Sequence, residues 1–142
     1  MFIDEHSLTH KPCLCDGSFN GKTIAVLGVT FKPNTDDMRE APSLTTVPAL
    51  VGAGAKVVVT DPQGKHEGET LLPGVVWVED AYKAVQRADL CVLLTEWNEF
   101  RALDLNRIAR RMNTPRFADL RNVYSEKDLK RAGFESYAFV GR

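Results

Sequence analysis

A chain of 142 residues, 44% hydrophobic and 26% charged, is long enough for one globular domain with one core. Its net charge of −1 gives no bulk attraction to nucleic acid or to a membrane surface, and no apolar run is long enough to span a bilayer. No basic segment followed by an apolar one marks a secretory signal, and the three cysteines make no even disulfide framework, so a reducing, cytoplasmic setting is expected.

Residues 1–20 show no sustained helical or strand period and contain two turn signals, Asp16-Gly17 and Asn20-Gly21. They are expected to form an irregular leader, a tag or the remnant of an upstream domain, ordered only where it docks. Residues 21–142 read as one regular domain. Apolar residues run without alternation over 23–29, the pattern of a buried central strand. After a polar loop, Ser43 is expected to cap a helix reaching residue 53, kinked or shortened by Pro48. Residues 56–60 form a second strand closed by Asp61-Pro62, residues 63–74 a loop or short helix, 75–78 a third strand and 79–87 a helix. A fourth buried strand over 88–95 ends in a charged loop, 96–101. Asp104 caps a helix through 112, and a fifth strand at 116–118 runs into the loop 119–122. Ser125 starts a helix that Gly133 stops, and 134–140 is the last strand. Strands alternating with helices imply a three-layer, Rossmann-like α/β domain with a mostly parallel sheet of about six strands.

In such sheets ligands bind beyond the carboxyl ends of the strands. Three polar loops follow strand ends, at 30–42, 95–101 and 119–124. The first is long, since βα loops usually run about 2–6 residues, and it carries Lys32, Asp36, Asp37, Arg39 and Glu40. Convergence of Lys32, Arg39, Arg101 and Arg121 with main-chain N–H groups would suit a phosphate or pyrophosphate. Phe31, Trp97 and Phe100 would then offer flat surfaces to a base or sugar. The alternative is that the cations pair with Asp36, Asp37, Glu96 and Glu99 as a solvated rim, and residue types alone leave both readings open.

Other motifs carry less. Gly28 stands alone, without the G-x-G-x-x-G spacing that lets backbone approach a pyrophosphate. Gly21-Lys22-Thr23 precedes a strand rather than a helix, so it is no Walker loop. Asp61 sits where a ribose-binding acid would sit, but the following Pro62 favours a turn residue. Cys91, mid-strand among apolar neighbours, is expected in the core. Cys13-x-Cys15 with His6 and His10 is not a standard zinc spacing, and His66 reads as a surface residue. No catalytic residue and no metal site is expected.

Residues 31–43, Phe-Lys-Pro-Asn-Thr-Asp-Asp-Met-Arg-Glu-Ala-Pro-Ser, closely resemble the signature opening the C-terminal, nucleotide-sugar-binding domain of the UDP-glucose/GDP-mannose dehydrogenases. Thr60-Asp-Pro62, Thr95-Glu-Trp-Asn-Glu-Phe-Arg101, Asp119-Leu-Arg-Asn122 and Tyr137-Ala-Phe-Val-Gly-Arg142 are similar to further blocks in the same order. The Glu-Trp-x-Glu-Phe and terminal Gly-Arg elements lean toward the members that act on UDP-glucose. The resemblance implies that Phe31, Lys32 and Arg121 contact the UDP-sugar and that Arg39 reaches NAD. It further implies that the full enzyme takes UDP-glucose, two NAD and one water to the uronate through a cysteine thioester. The family's Gly-Phe-Gly-Gly-Ser-Cys-Phe-Pro-Lys-Asp motif and its N-terminal glycine fingerprint are absent from these 142 residues, and Leu120 stands where a glycine is common. The expectation is a UDP-glucose-binding domain inactive without its N-terminal and central partner domains, with little or no NAD binding of its own. The alternative is a stand-alone nucleotide-binding or interaction module, capable of self-association.

Overall fold

The computed structural model describes residues 2–3, 8 and 11–140. Its seven strands are β1 (Phe2–Ile3), β2 (Thr23–Leu27), β3 (Lys56–Thr60), β4 (Val76–Trp77), β5 (Leu90–Leu93), β6 (Arg116–Asp119) and β7 (Ser136–Val140). They lie in the order β1-β7-β6-β5-β2-β3-β4, with every neighbouring pair parallel. From β2 the chain winds outward through β3 and β4, then returns to the other side of β2 with β5, β6 and β7. The direction of winding thus reverses between β2 and β5, which opens a crevice at their carboxyl ends.

Alternation along the strands explains the two-sided core. Ile24, Val26, Val57, Val59, Leu90 and Val92 face the layer of helix α1 (Ser43–Gly52), through Val47 and Leu50. Ala25, Leu27, Val58, Cys91 and Leu93 face the opposite layer. That layer holds α3 (Ala81–Ala84), α5 (Leu105–Arg111) and α6 (Glu126–Ala132), through Ala84, Ile108 and Leu129. Both faces are dry, so the strands read as continuous apolar runs rather than alternating ones. Two short helices complete the set, α2 (Lys65–Leu71) and α4 (Asn98–Arg101). The first falls where a loop or short helix was expected, and the second sits within a stretch that reads as loop.

Asp104 and Ser125 cap α5 and α6 as expected, accepting from the amides of Arg107 and Asp128. Gly133 ends α6 in the left-handed region at φ 100°. Ser43 does otherwise. It is the first residue of α1, whose cap is Pro42, and its buried hydroxyl donates to the carbonyl of Val29 at 2.6 Å. The carbonyl of Pro42 already accepts the amides of Thr45 and Thr46, which frees the serine to tie the helix to the end of β2. Helix α1 runs through the exposed Pro48 to Gly52.

The leader is less irregular than its sequence. Pro12–Cys15 form a 3-10 turn, and Leu8, Leu14, Cys15 and Phe19 are buried in the cluster on the α1 side. Phe2 and Ile3 pair in parallel with Phe139 and Val140. Asp16 accepts an ion pair from Arg116 at 2.6 Å and another from Lys22 at 3.6 Å, while Arg116 also faces Glu135 at 3.6 Å. Scattered apolar residues carry no period, so the docking is invisible to pattern reading. Removing most of a fully packed leucine should cost about 2–5 kcal/mol. Leu14→Ala should therefore lower unfolding free energy in urea by that order, and a change within experimental scatter would show that this segment is not part of the core.

Candidate functional site

The first loop begins at Gly28, whose amide donates to the Thr60 carbonyl at 2.9 Å. Its φ is +86°, and a Cβ there would lie 2.5 Å from Thr95 Cβ, so only glycine lets the ends of β2 and β5 come this close. The loop is then held from below by one carboxylate. Asp61 Oδ2 accepts the amides of Val29 (2.8 Å) and Thr30 (3.1 Å) and lies 3.1 Å from the Thr30 hydroxyl. Its Oδ1 accepts the amides of Gln63 (2.9 Å) and Gly64 (2.8 Å). Thr30, 1% exposed, receives two more ties: Thr95 Oγ1 donates to its carbonyl at 2.7 Å, and Trp97 Nε1 to its hydroxyl at 3.2 Å. The root of the loop is therefore fixed to the ends of both β3 and β5.

Beyond this root the loop rises into solvent. Phe31 N donates to the Asp37 carbonyl at 2.8 Å, and Asn34 and Glu40 take positive φ values of 63° and 58°. Phe31 is 44% exposed and Lys32 is exposed, with no ion pair to the Lys32 ammonium among the described residues. Arg39 lies on Asp37 in a fork, Nε and Nη2 each 3.0 Å from one carboxylate oxygen. That hydrogen-bonded guanidinium holds the Asp37 carboxyl below its ordinary range. Phe31, Asp37, Arg39 and Glu40 line an open hollow of about 300 Å³.

The loop after β6 is built the same way. Buried Asp119 accepts the amides of Arg121 (3.0 Å), Val123 (2.9 Å) and Tyr124 (2.8 Å), and Asn122 takes φ 54°. The turn presents Arg121 to the end of β5. Its Nε donates to the Leu94 carbonyl at 2.6 Å and lies 3.5 Å from Glu96 Oε2. Arg101 Nε donates to the Glu96 carbonyl at 3.3 Å.

Lys32, Arg39, Arg101 and Arg121 thus share the carboxyl edge, on loops flanking the β2–β5 crevice. The solvated-rim reading is partly realised, since Arg39 is spent on Asp37 and Arg121 touches Glu96. Two of the three aromatic candidates are not surfaces for a ligand: Trp97 is 6% exposed and Phe100 fully buried, both in the core. They lie one turn apart beside α4, and that short helix turns them inward; only Phe31 remains open. Sequence reading missed Thr30, Thr95 and Asp119 as organisers of the edge. An aspartate ending a strand before a turn was the available signal, at 61 and again at 119.

Among the described residues, the turn after β2 is not shaped as a dinucleotide cradle. The pyrophosphate approach is filled at Gly28 by Thr95, and both oxygens of Asp61 are consumed by main-chain amides rather than offered to a ribose. No group of three or more potential metal ligands occurs among the described residues, and His6 and His10 lie outside them. Cys91 is buried and its thiol is pushed well above the ordinary range by desolvation. Burial likewise raises Cys15 from 9.0 to about 11, against the pull of Arg116. Cys13 is exposed. Iodoacetamide at neutral pH should modify Cys13 alone in the native protein and all three thiols in urea; fast native labelling of Cys15 or Cys91 would contradict their burial. Because the Cys15 value is raised on folding, its contribution to stability is present below pH 9 and is lost as pH rises toward 11.

Residues 25–126 match the model of the UDP-glucose/GDP-mannose dehydrogenase family, UDP binding domain. Among curated proteins, the chain is 48% identical to the UDP-glucose 6-dehydrogenase of Rhizobium meliloti over 126 residues, covering 89% of this chain and 29% of the relative. It is 38% identical to the UDP-glucose 6-dehydrogenase TuaD of Bacillus subtilis, covering 89% of this chain and 27% of that one. Among solved structures, a UDP-glucose dehydrogenase from Pyrobaculum islandicum superposes with a TM-score of 0.76 at 25% identity, over 96% of this chain and 29% of the other. An NDP-N-acetyl-D-galactosaminuronic acid dehydrogenase from Methanosarcina mazei does so with a TM-score of 0.79 at 26% identity, over 97% and 28%. The chain therefore spans under a third of the length of the curated relatives it matches.

Proposed function

We propose a function that starts from what the chain is: it belongs to the UDP-glucose/GDP-mannose dehydrogenase family, as its UDP-binding domain. In this reading residues 21–142 form the binding unit and the carboxyl edge of the sheet takes a UDP-sugar, UDP-glucose first among them. Phe31 lies against the ligand, and Lys32 and Arg121 meet its diphosphate. The observation that carries the reading is the state of those two cations. Lys32 makes no ion pair among the described residues, and among them the Arg121 guanidinium donates a hydrogen bond only from Nε, leaving its terminal nitrogens without one. Hydrogen-bond donors left open on a lysine and an arginine at this edge suit a charge-dense phosphate group.

The larger activity belongs to a longer protein. There, UDP-glucose would be oxidised to UDP-glucuronate with two NAD and one water, on a cysteine that these 142 residues do not supply. NAD would be held by another domain, with Arg39 the residue of this chain that reaches it after leaving Asp37. A cytoplasmic setting fits such a substrate, and no helix among the described residues is long and apolar enough to cross a membrane.

Calorimetric titration with UDP-glucose should show measurable binding to the wild-type chain. Lys32→Ala and Arg121→Ala should each weaken it by about tenfold, the value of one charge-assisted hydrogen bond. Equal affinity in all three proteins would overturn the assignment. The chain alone should produce no NADH from UDP-glucose and NAD, and robust turnover would show that the chemistry is not supplied elsewhere.

A second reading, an interaction module without enzymatic activity, is favoured by the β4 edge of the sheet. Val76 is 44% exposed there and the nearby Leu71 47%. Sedimentation at several concentrations separates the two: a monomer that binds UDP-glucose fits the first, and concentration-dependent dimers without such binding fit the second.

A further inference from the structure

We propose that Glu96 is a positioning residue for the diphosphate site, acting through Arg121; the inference rests on the UDP-sugar reading of the carboxyl edge. A guanidinium is a flat fork with one donor along its Nε edge and four on its terminal nitrogens. In Arg121 the Nε edge is the one held. It donates to the Leu94 carbonyl at 2.6 Å, and Glu96 Oε2 stands 3.5 Å from the same nitrogen. The accepting carbonyl and the facing carboxylate come from the end of β5, two residues apart, so a single backbone segment sets the plane of the fork. No hydrogen bond from the terminal nitrogens is made among the described residues, so those donors are open to a ligand.

Arg39 shows the contrasting arrangement. Asp37 grips it through both Nε and Nη2, at 3.0 Å each, with the arginine side chain 89% exposed. A ligand must break that fork before it can use it. Arg121 and Glu96 are only 27% and 24% exposed, so their interaction is partly shielded from solvent and its geometry is set by packing. Glu96 is itself anchored, since its carbonyl accepts Arg101 Nε at 3.3 Å. That contact fixes the backbone from which the Glu96 side chain projects. Opposing the charge of Arg121 from the protein side, rather than from the ligand side, lets the arginine stay in place when the site is empty and remain available when it fills.

The test is a double-mutant cycle on UDP binding to this chain, measured by calorimetry, with unfolding midpoints recorded for each variant. Glu96→Ala should weaken UDP by about threefold when Arg121 is present, the scale of one partly exposed ion pair. It should have no effect when Arg121 is already alanine, because a residue that acts only through another contributes nothing in its absence. Glu96→Gln keeps the side chain's size but removes the charge facing Nε, and should weaken UDP as Glu96→Ala does. Wild-type affinity or tighter in Glu96→Ala, equal losses in both backgrounds, or wild-type affinity in Glu96→Gln would each overturn the positioning role. Wild-type affinity in Arg121→Ala would instead remove the UDP site itself.

Discussion

One carboxylate carries the geometry of the carboxyl edge. Asp61 takes four main-chain amides on its two oxygens, two from the loop after β2 and two from its own turn. A loop of this length would otherwise leave those amides to compete for water, and its root would wander. Leaving even one such donor buried and unmatched costs about 1–3 kcal/mol, so the aspartate stabilises the fold and fixes the position of the edge together. Position 61 is where a dinucleotide-binding sheet would present an acid to a sugar. Here the same placement serves the protein's own backbone.

The edge is consequently layered. Nearest the sheet lies a dry set of ties, Thr30, Ser43, Thr95 and Trp97, in which each polar group has a partner. Above it lie the long cations, each in a different state: Lys32 unpaired among the described residues, Arg121 held on one side, Arg39 fully paired to Asp37. A gradient from rigid to adaptable suits a surface that must grip a charged ligand and also meet another domain. Asp119 repeats the device of Asp61 on β6, so the two loops that flank the crevice are held by the same chemistry.

Much of this was legible from residue order. Uninterrupted apolar runs at β2, β3 and β5 announced strands buried on both faces, and the alternation with helices announced parallel pairing. The edge that gathers Lys32, Arg39 and Arg121 followed from the topology alone. What was not legible depends on three-dimensional partners. Trp97 and Phe100 look like ligand platforms in a charged loop, and only the α4 turn makes them core. Ser43 looks like a cap, and only the proximity of Val29 gives its hydroxyl another use. Leu8, Leu14 and Phe19 lack any period because they come from a segment that wraps a finished surface rather than from a helix or strand of the core.

The far edge of the sheet has its own junction. Arg116, at the start of β6, joins Asp16 of the leader to Glu135, the residue just before β7, and Asp16 in turn meets Lys22 at the foot of β2. Segments from the beginning, middle and end of the chain thus share a single ionic knot. The leader is thereby tied at Asp16 to the strands that close the far side of the sheet, so loosening it would also loosen the start of β6.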